Sequence, residues 1–280
     1  LNPKATFQYV GYLAVGSGDV ASVQKVAYEI RDVRVNPNGS ETVLRDKAPV
    51  GTISGFVREG RTNQPMEDVS VVLQNEAGEY ISQASTLKNG AYTAPLPPGK
   101  YRAFAVDKVR DVAKSELVEV AEGGMARVDL SMPQPGDLRV VVRDEKGQPL
   151  PAKISVEGVY ENEAGALPRR FLYDLKIGER YRRSDFVTDD PSNPDTRRYL
   201  EKVLFAGDGT IGTEIRPGKY TVWASRGIEY SLEKREIEVV AGRTSTVGFT
   251  LNHVLPTKGL ISADFHVHSV KSVDSDMGLE

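Results

Sequence analysis

The residues best suited to chemistry stand near the C-terminus, in Gly259-Leu-Ile-Ser-Ala-Asp264-Phe-His266-Val-His268-Ser269. The chain has only three histidines, and two of them, His266 and His268, lie two residues apart. In an extended strand residues i, i+2 and i+4 share a face. Asp264, His266 and His268 would then point one way and Ile261, Ala263, Phe265 and Val267 the other. Two neutral imidazoles on one face can bind the same metal ion or neighbouring ones. A zinc site takes three or four protein ligands, so the pair is the first part of a site, and its other ligands and a general acid/base are expected past Glu280. The remaining candidates are weaker. Gly16-Ser17-Gly18 lacks the third glycine of a nucleotide-binding loop and reads as a turn, as does Gly207-Asp208-Gly209. His253 stands alone and reads as structural. Asp189-Asp190-Pro191-Ser192-Asn193-Pro194-Asp195 is rich in oxygen donors but lacks the spacing of a calcium loop.

Composition removes several classes. The chain has no cysteine, which excludes disulfides, thiolate metal sites and cysteine nucleophiles. A net charge of −3 gives no global pull toward nucleic acid or anionic membrane. The basic clusters Arg169-Arg170, Arg182-Arg183 and Arg197-Arg198 are interleaved with acids and read as solvated loop. No apolar run reaches the length of a transmembrane helix. The chain opens Leu1-Asn2-Pro3 without a methionine, as a processed or trimmed piece would.

The elements that must position these residues are strands. Short alternating segments are punctuated by Gly, Pro and Asn, the pattern of an all-β sandwich. Asp19 to Ile30 has apolar residues at helical spacing but is rich in β-branched residues, and strand is favoured there. An internal repeat organises the rest. Leu96-Pro97-Pro98-Gly99-Lys100-Tyr101 recurs as Ile215-Arg216-Pro217-Gly218-Lys219-Tyr220, and Val118-Glu119-Val120 as Ile237-Glu238-Val239, at one constant offset of 119 residues. Gln64-Pro65 recurs as Gln148-Pro149 only 84 residues on. The second copy therefore carries about 35 extra residues, placed between Glu157 and Phe205. Pro-Gly before Lys-Tyr makes a tight turn that starts a new strand.

The Gln64-Pro65, Asn89-Gly90-Ala91-Tyr92 and Leu96-to-Tyr101 segments resemble carboxypeptidase-regulatory-like domains, small transthyretin-like sandwiches. That resemblance implies accessory, non-catalytic domains and an extracytoplasmic setting. Asp264-Phe265-His266-Val267-His268-Ser269, followed by Ser272-Val273-Asp274-Ser275, resembles the PHP (polymerase-and-histidinol-phosphatase) metallohydrolases, in particular their CehA/McbA branch. Ser225-Arg226-Gly227-Ile228-Glu229-Tyr230-Ser231 resembles the segment that precedes the barrel in that branch. By that resemblance His266, His268 and Asp274 would ligate a divalent metal (zinc, manganese or iron), with two or three ions in the complete protein.

The expected architecture is all-β: two tandem carboxypeptidase-regulatory-like (transthyretin-like) sandwiches followed by the first strand of a PHP-type (β/α) barrel. Residues 1–49 are an N-terminal β segment, 50–133 the first sandwich, 134–256 the second with its insertion within 157–205, and 257–280 the start of the barrel. The expected function is an N-terminal accessory region of a hydrolase that cleaves ester, carbamate or phosphoester bonds with metal-activated water. The fragment alone would be inactive. Its partners would be a small-molecule substrate and its own C-terminal barrel, with no nucleic acid and no transmembrane segment. The alternative is a non-catalytic carbohydrate- or protein-binding module. Trp223, Tyr160, Tyr173, Tyr181 and Tyr199 could then stack on a ligand, against the favoured reading of Trp223 as a core aromatic on a sandwich strand.

Overall fold

A computed structural model describes residues 11–159, 173–174, 179–180, 198–257, 259–261 and 263. A helix, α1 (Val20–Glu29), is followed by a hairpin of β1 (Asp32–Val35) and β2 (Glu41–Arg45). Nine strands come next: β3 (Gly51–Glu59), β4 (Ser70–Asn75), β5 (Tyr80–Ser85), β6 (Ala91–Leu96), β7 (Gly99–Val106), β8 (Ala113–Lys114), β9 (Val118–Val120), β10 (Met125–Arg127) and β11 (Leu130–Met132). The second half has β12 (Gly136–Asp144), β13 (Ala152–Val159), the short pair β14 (Tyr173–Asp174) and β15 (Glu179–Arg180), β16 (Arg198–Ala206), β17 (Thr210–Ile215), β18 (Gly218–Ser225), β19 (Glu233–Val239) and β20 (Thr244–Leu251).

The all-β sandwich expectation holds, and each half has its own core. In the first, β3 lies between β6 and the β10/β11 strands, while β5, β4 and β7 form the other sheet, with β8 and β9 on β7. Strict alternation along β3 buries Ile53 and Val57 on one face. They pack in one cluster with Leu96 of β6, Met132 of β11, Val71 and Leu73 of β4 and Ala103 of β7. In the second, sheet β17-β12-β20 packs on sheet β16-β13-β18-β19. Leu138, Val140, Ile154, Val222 and Leu251 make the equivalent cluster. The apolar faces of both sheets are thus removed from water, which is the main stabilising term of each half.

The sequence repeat is a repeat of contacts. The Tyr101 hydroxyl donates to the Pro97 carbonyl at 2.8 Å and the Tyr220 hydroxyl to the Arg216 carbonyl at 2.6 Å. Gly90 and Gly209 take φ of 78° and 77°, and their carbonyls accept from the amides of Val57 and Val142. A Cβ there would sit 2.5 Å from the Val57 oxygen or 2.7 Å from the Val142 oxygen, so only glycine fits.

Two expectations are corrected. Residues 20–29 are helical, not a strand. Asp19 accepts from the Ser22 amide and the Ser22 hydroxyl accepts from the Asp19 amide, a reciprocal cap that satisfies amides a helix start leaves open. Tertiary contact does the rest. Ala21 enters the first core, Gln24 Nε2 donates to the Ile81 carbonyl at 2.8 Å, and Asp19 accepts from the Ser85 amide at 2.9 Å. Among the described residues the expected buried barrel strand is also not seen. Residues 259–261 are not in a strand, and Leu260 and Ile261 are 72% and 94% exposed. An apolar run forms a buried strand only against a sheet, and no described residue pairs with it.

Candidate functional site

His266, His268 and Asp274 lie outside the described residues, as do Asp189–Asp195 and the expectation of a bound divalent metal that rests on the histidines. Among the described residues no three His, Cys, Asp or Glu side chains are grouped to hold a metal ion. The one described histidine, His253, is structural. Its ring meets Tyr230 edge-on at 5.1 Å, and its Nε2 lies 3.3 Å from the Thr257 hydroxyl.

Of the aromatics considered for stacking, Trp223 is the one whose side chain is described. It stands on the outer face of the second unit, because alternation along β18 sends Tyr220, Val222 and Ala224 into the core and Lys219, Thr221 and Trp223 outward. Trp223 pairs with Ser155 on β13 and with Lys234 on β19. Its indole Nε1 donates to Glu157 at 3.2 Å, and the Lys234 ammonium lies 5.1 Å from its ring centroid. One ring face is thus covered by a cation. Beside it an open groove of about 370 Å³ is lined by Glu157, Lys219, Tyr220, Thr221, Glu236, Ile237 and Glu238. Three carboxylates against one lysine make the groove acidic. On the far side of β13 the same face carries Val203 and Phe205, which are exposed. The outward positions of β18 and β19 are readable from alternation. That β13 adds Glu157 to them is not, because the tertiary contact spans 66 residues of sequence.

A second polar group lies where the halves meet. Arg216, in the turn before β18, reaches Asp111 of the first half at 3.5 Å, and Arg110 pairs with Asp107 at 3.0 Å. Lys202 of β16 donates to Thr213 at 2.8 Å and to the Glu214 carbonyl at 2.6 Å. Burial lowers the pKa of its ammonium, although Glu201, Glu214 and Asp107 oppose this. These groups are engaged with one another and with backbone, as in a structural junction.

Residues 52–133 match the carboxypeptidase regulatory-like domain family. No curated protein matches the chain. Among solved structures it is similar to GBS52, the minor pilin of Streptococcus agalactiae (17% identity, 76% of this chain and 100% of that one, TM-score 0.37). It is likewise similar to a streptococcal ancillary pilin (14%, 76% and 65%, TM-score 0.37) and to the shaft pilin SpaA of Lactobacillus rhamnosus GG (10%, 74% and 100%, TM-score 0.39). At these scores the likeness describes general β architecture and carries no functional argument.

These findings correct the metallohydrolase reading. The family that matches residues 52–133 is a regulatory-like β domain, and no three His, Cys, Asp or Glu side chains among the described residues are grouped to hold a metal ion. The resemblance to a PHP hydrolase, the role as its accessory region, the enzyme assignment, and the small-molecule substrate and C-terminal barrel as partners are set aside. A His-x-His pair defines a metal site only together with further ligands, and among the described residues none is grouped to supply them.

Proposed function

We propose that this chain is a non-catalytic, protein-binding β-sandwich module that works outside the cytoplasm. Two carboxypeptidase-regulatory-like, transthyretin-like units would occupy 50–133 and 134–256, the second with its insertion within 157–205, after an N-terminal segment of residues 1–49. The observation that carries the reading is the outer face of β13, β18 and β19. An open acidic groove beside exposed Phe205 and Val203 suits a polypeptide with basic and apolar side chains better than a small molecule, which needs a deeper enclosure. The capped Trp223 ring favours a protein over a sugar. The match of residues 52–133 to a regulatory-like family supports the non-catalytic part, and no helix among the described residues is long and apolar enough to cross a membrane.

A photo-cross-linking residue at Thr221, in the groove, tests this against one at Thr246 on the opposite sheet, with the chain displayed on its host cells. A discrete protein adduct at Thr221 alone, lost with Glu236→Lys and Glu238→Lys, is the expected result. Equal adducts at both positions would sink the groove as the binding face.

A further inference from the structure

The hairpin β1–β2 is built mainly by its own turn, with contacts from Tyr12 and Ala27 at its base. Gly39 takes φ of 77° and donates to the Asn36 carbonyl at 2.9 Å, and the Asn36 amide donates to the Ser40 carbonyl at 2.8 Å. The Asn36 side-chain amide adds bonds to the hydroxyls of Ser40 and Thr42, each at 3.0 Å. Beyond the turn most of the hairpin faces water. Every residue of β2 is exposed, and Val35, Val43 and Leu44 are 66%, 48% and 50% exposed. β2 pairs with β1 along one edge, with Leu44 bulged between the Val33–Val43 and Asp32–Arg45 pairs, and no described strand pairs with the other. Such a two-stranded ribbon is marginal in water, and an open edge is a template for another strand.

The charges along β2 select the occupant. The strand reads Glu41-Thr42-Val43-Leu44-Arg45, with opposite charges equidistant from a central valine. An antiparallel copy of the same strand, related by a twofold axis through Val43, sets Glu41 opposite Arg45 of the second copy, and Arg45 opposite the second Glu41. Val43 then meets Val43, and Thr42 meets Leu44. Opposite charges directly across a ladder stabilise it and like charges destabilise it. The charges are engaged only by exposed contacts, Arg45 also standing opposite Asp32 and 5.6 Å from the Tyr12 ring centroid. Glu41 lies 3.7 Å from Arg31 in an ion pair about half exposed on both sides, and Arg45 donates to the Ala27 carbonyl from an exposed position.

We infer that β2 is a homotypic docking edge, through which two copies of this chain join their hairpins into one four-stranded antiparallel sheet. The contact is isologous and closes on itself, so it yields a dimer. It deepens the reading as a protein-binding module and is independent of the groove, so Glu236→Lys and Glu238→Lys leave it intact.

Sedimentation equilibrium of the full chain tests the inference. The wild type shows a monomer–dimer equilibrium. Arg45→Glu and Glu41→Arg, each setting like charges across the axis, weaken it at least about tenfold. The double variant Glu41→Arg/Arg45→Glu restores it. So does an equimolar mixture of the two single variants, in which every cross-strand pair is again opposite in sign. Backbone amide shifts of Asn36–Ser40 report in each case whether the hairpin has formed. A wild type monomeric at all concentrations overturns the inference, as do single variants that associate as well as wild type, or a mixture that fails to associate while its hairpins are formed.

Discussion

The two halves are built on one plan and closed in two ways. In the second, Val140 of β12 sits in the core, faces Ile211 on one side, and pairs on the other with Val247 of an unbroken β20. In the first, the equivalent place is Gly55, facing Tyr92. A Cβ on Gly55 would sit 1.7 Å from the Val128 carbonyl oxygen, so here glycine admits the backbone of the final strand, and that strand breaks into β10 and β11. The break is sealed by side chains. The buried Tyr92 hydroxyl donates to the Val128 carbonyl at 2.7 Å, and Asp129 accepts from the Phe56 amide at 3.0 Å. The open sides differ likewise. Helix α1 covers β5 in the first half. In the second, Lys202 of β16 reaches across to β17. One topology therefore tolerates a substituted ladder provided that each displaced backbone group finds another partner.

If the halves are independent in their cores, core truncation should separate them. Leu73→Ala in the first and Leu138→Ala in the second each remove a fully buried side chain, and each should cost about 2–5 kcal/mol. Calorimetry of the full chain should show each variant lowering a different transition. A single transition lowered equally by both would show that the junction at Arg216 and Asp111 couples the halves into one cooperative unit.

The shared turn gives a sharper version. Gly90→Ala and Gly209→Ala put a side chain at positive φ and against a backbone carbonyl. Each should cost about 1–3 kcal/mol by urea unfolding. Nearly equal losses would confirm that the turns are mechanically equivalent. A large inequality would show that one half relaxes around its turn.

Tyr92→Phe probes what the halves do not share. It strands the Val128 carbonyl, and should cost about 1–3 kcal/mol in the first half alone. Ile211, at the equivalent place, makes no such bond, and Ile211→Val should cost about 0.5–1.5 kcal/mol through packing. The contrast is clearest in amide exchange at Phe56 and Val57, which should quicken in Tyr92→Phe.

These details divide by how far apart in sequence their causes lie. The repeat, the Pro-Gly-Lys-Tyr turn and the glycines at 90 and 209 were legible because each is local. The strand was right for Trp223 but the core was not: it lies on β18, on the outer face and outside the second core cluster. Helix α1 was misread because Val20, Val23 and Val26 favour strand, while the contacts that hold it helical come from Ile81 and Ser85, more than fifty residues away. The break at Asp129 had no local sign, since Gly55 makes room for a carbonyl 73 residues downstream. The groove was half legible: its β18 and β19 residues follow from alternation, but Glu157 joins them only through the fold. The histidine pair was legible only as a spacing, because His266 and His268 lie outside the described residues.

The smallest effect expected concerns pH and falls on the first half alone. Burial by itself would raise the Asp129 carboxyl. The hydrogen bonds from Arg127 and the Phe56 amide, and the charges of Arg127 and Arg58, outweigh it and hold the group below the usual carboxylate range. The folded state therefore binds fewer protons than the unfolded one, whose aspartate titrates near about 3.9. The resulting stabilisation is fully present above that value and is lost as pH falls through the lower folded pKa. Because the side chain is half exposed, solvent screens the effect. At the equivalent position the second half has Gly248, within an unbroken strand. Urea midpoints measured below about pH 4 should show the first transition falling more steeply than the second. Asp129→Asn keeps an oxygen for the Phe56 amide but cannot titrate, so it should reduce that excess slope to what Glu59, also held low by hydrogen bonds from Thr62, contributes. If the slope persists in full in Asp129→Asn, the acid sensitivity lies elsewhere and the side-chain seal is not what distinguishes the two halves.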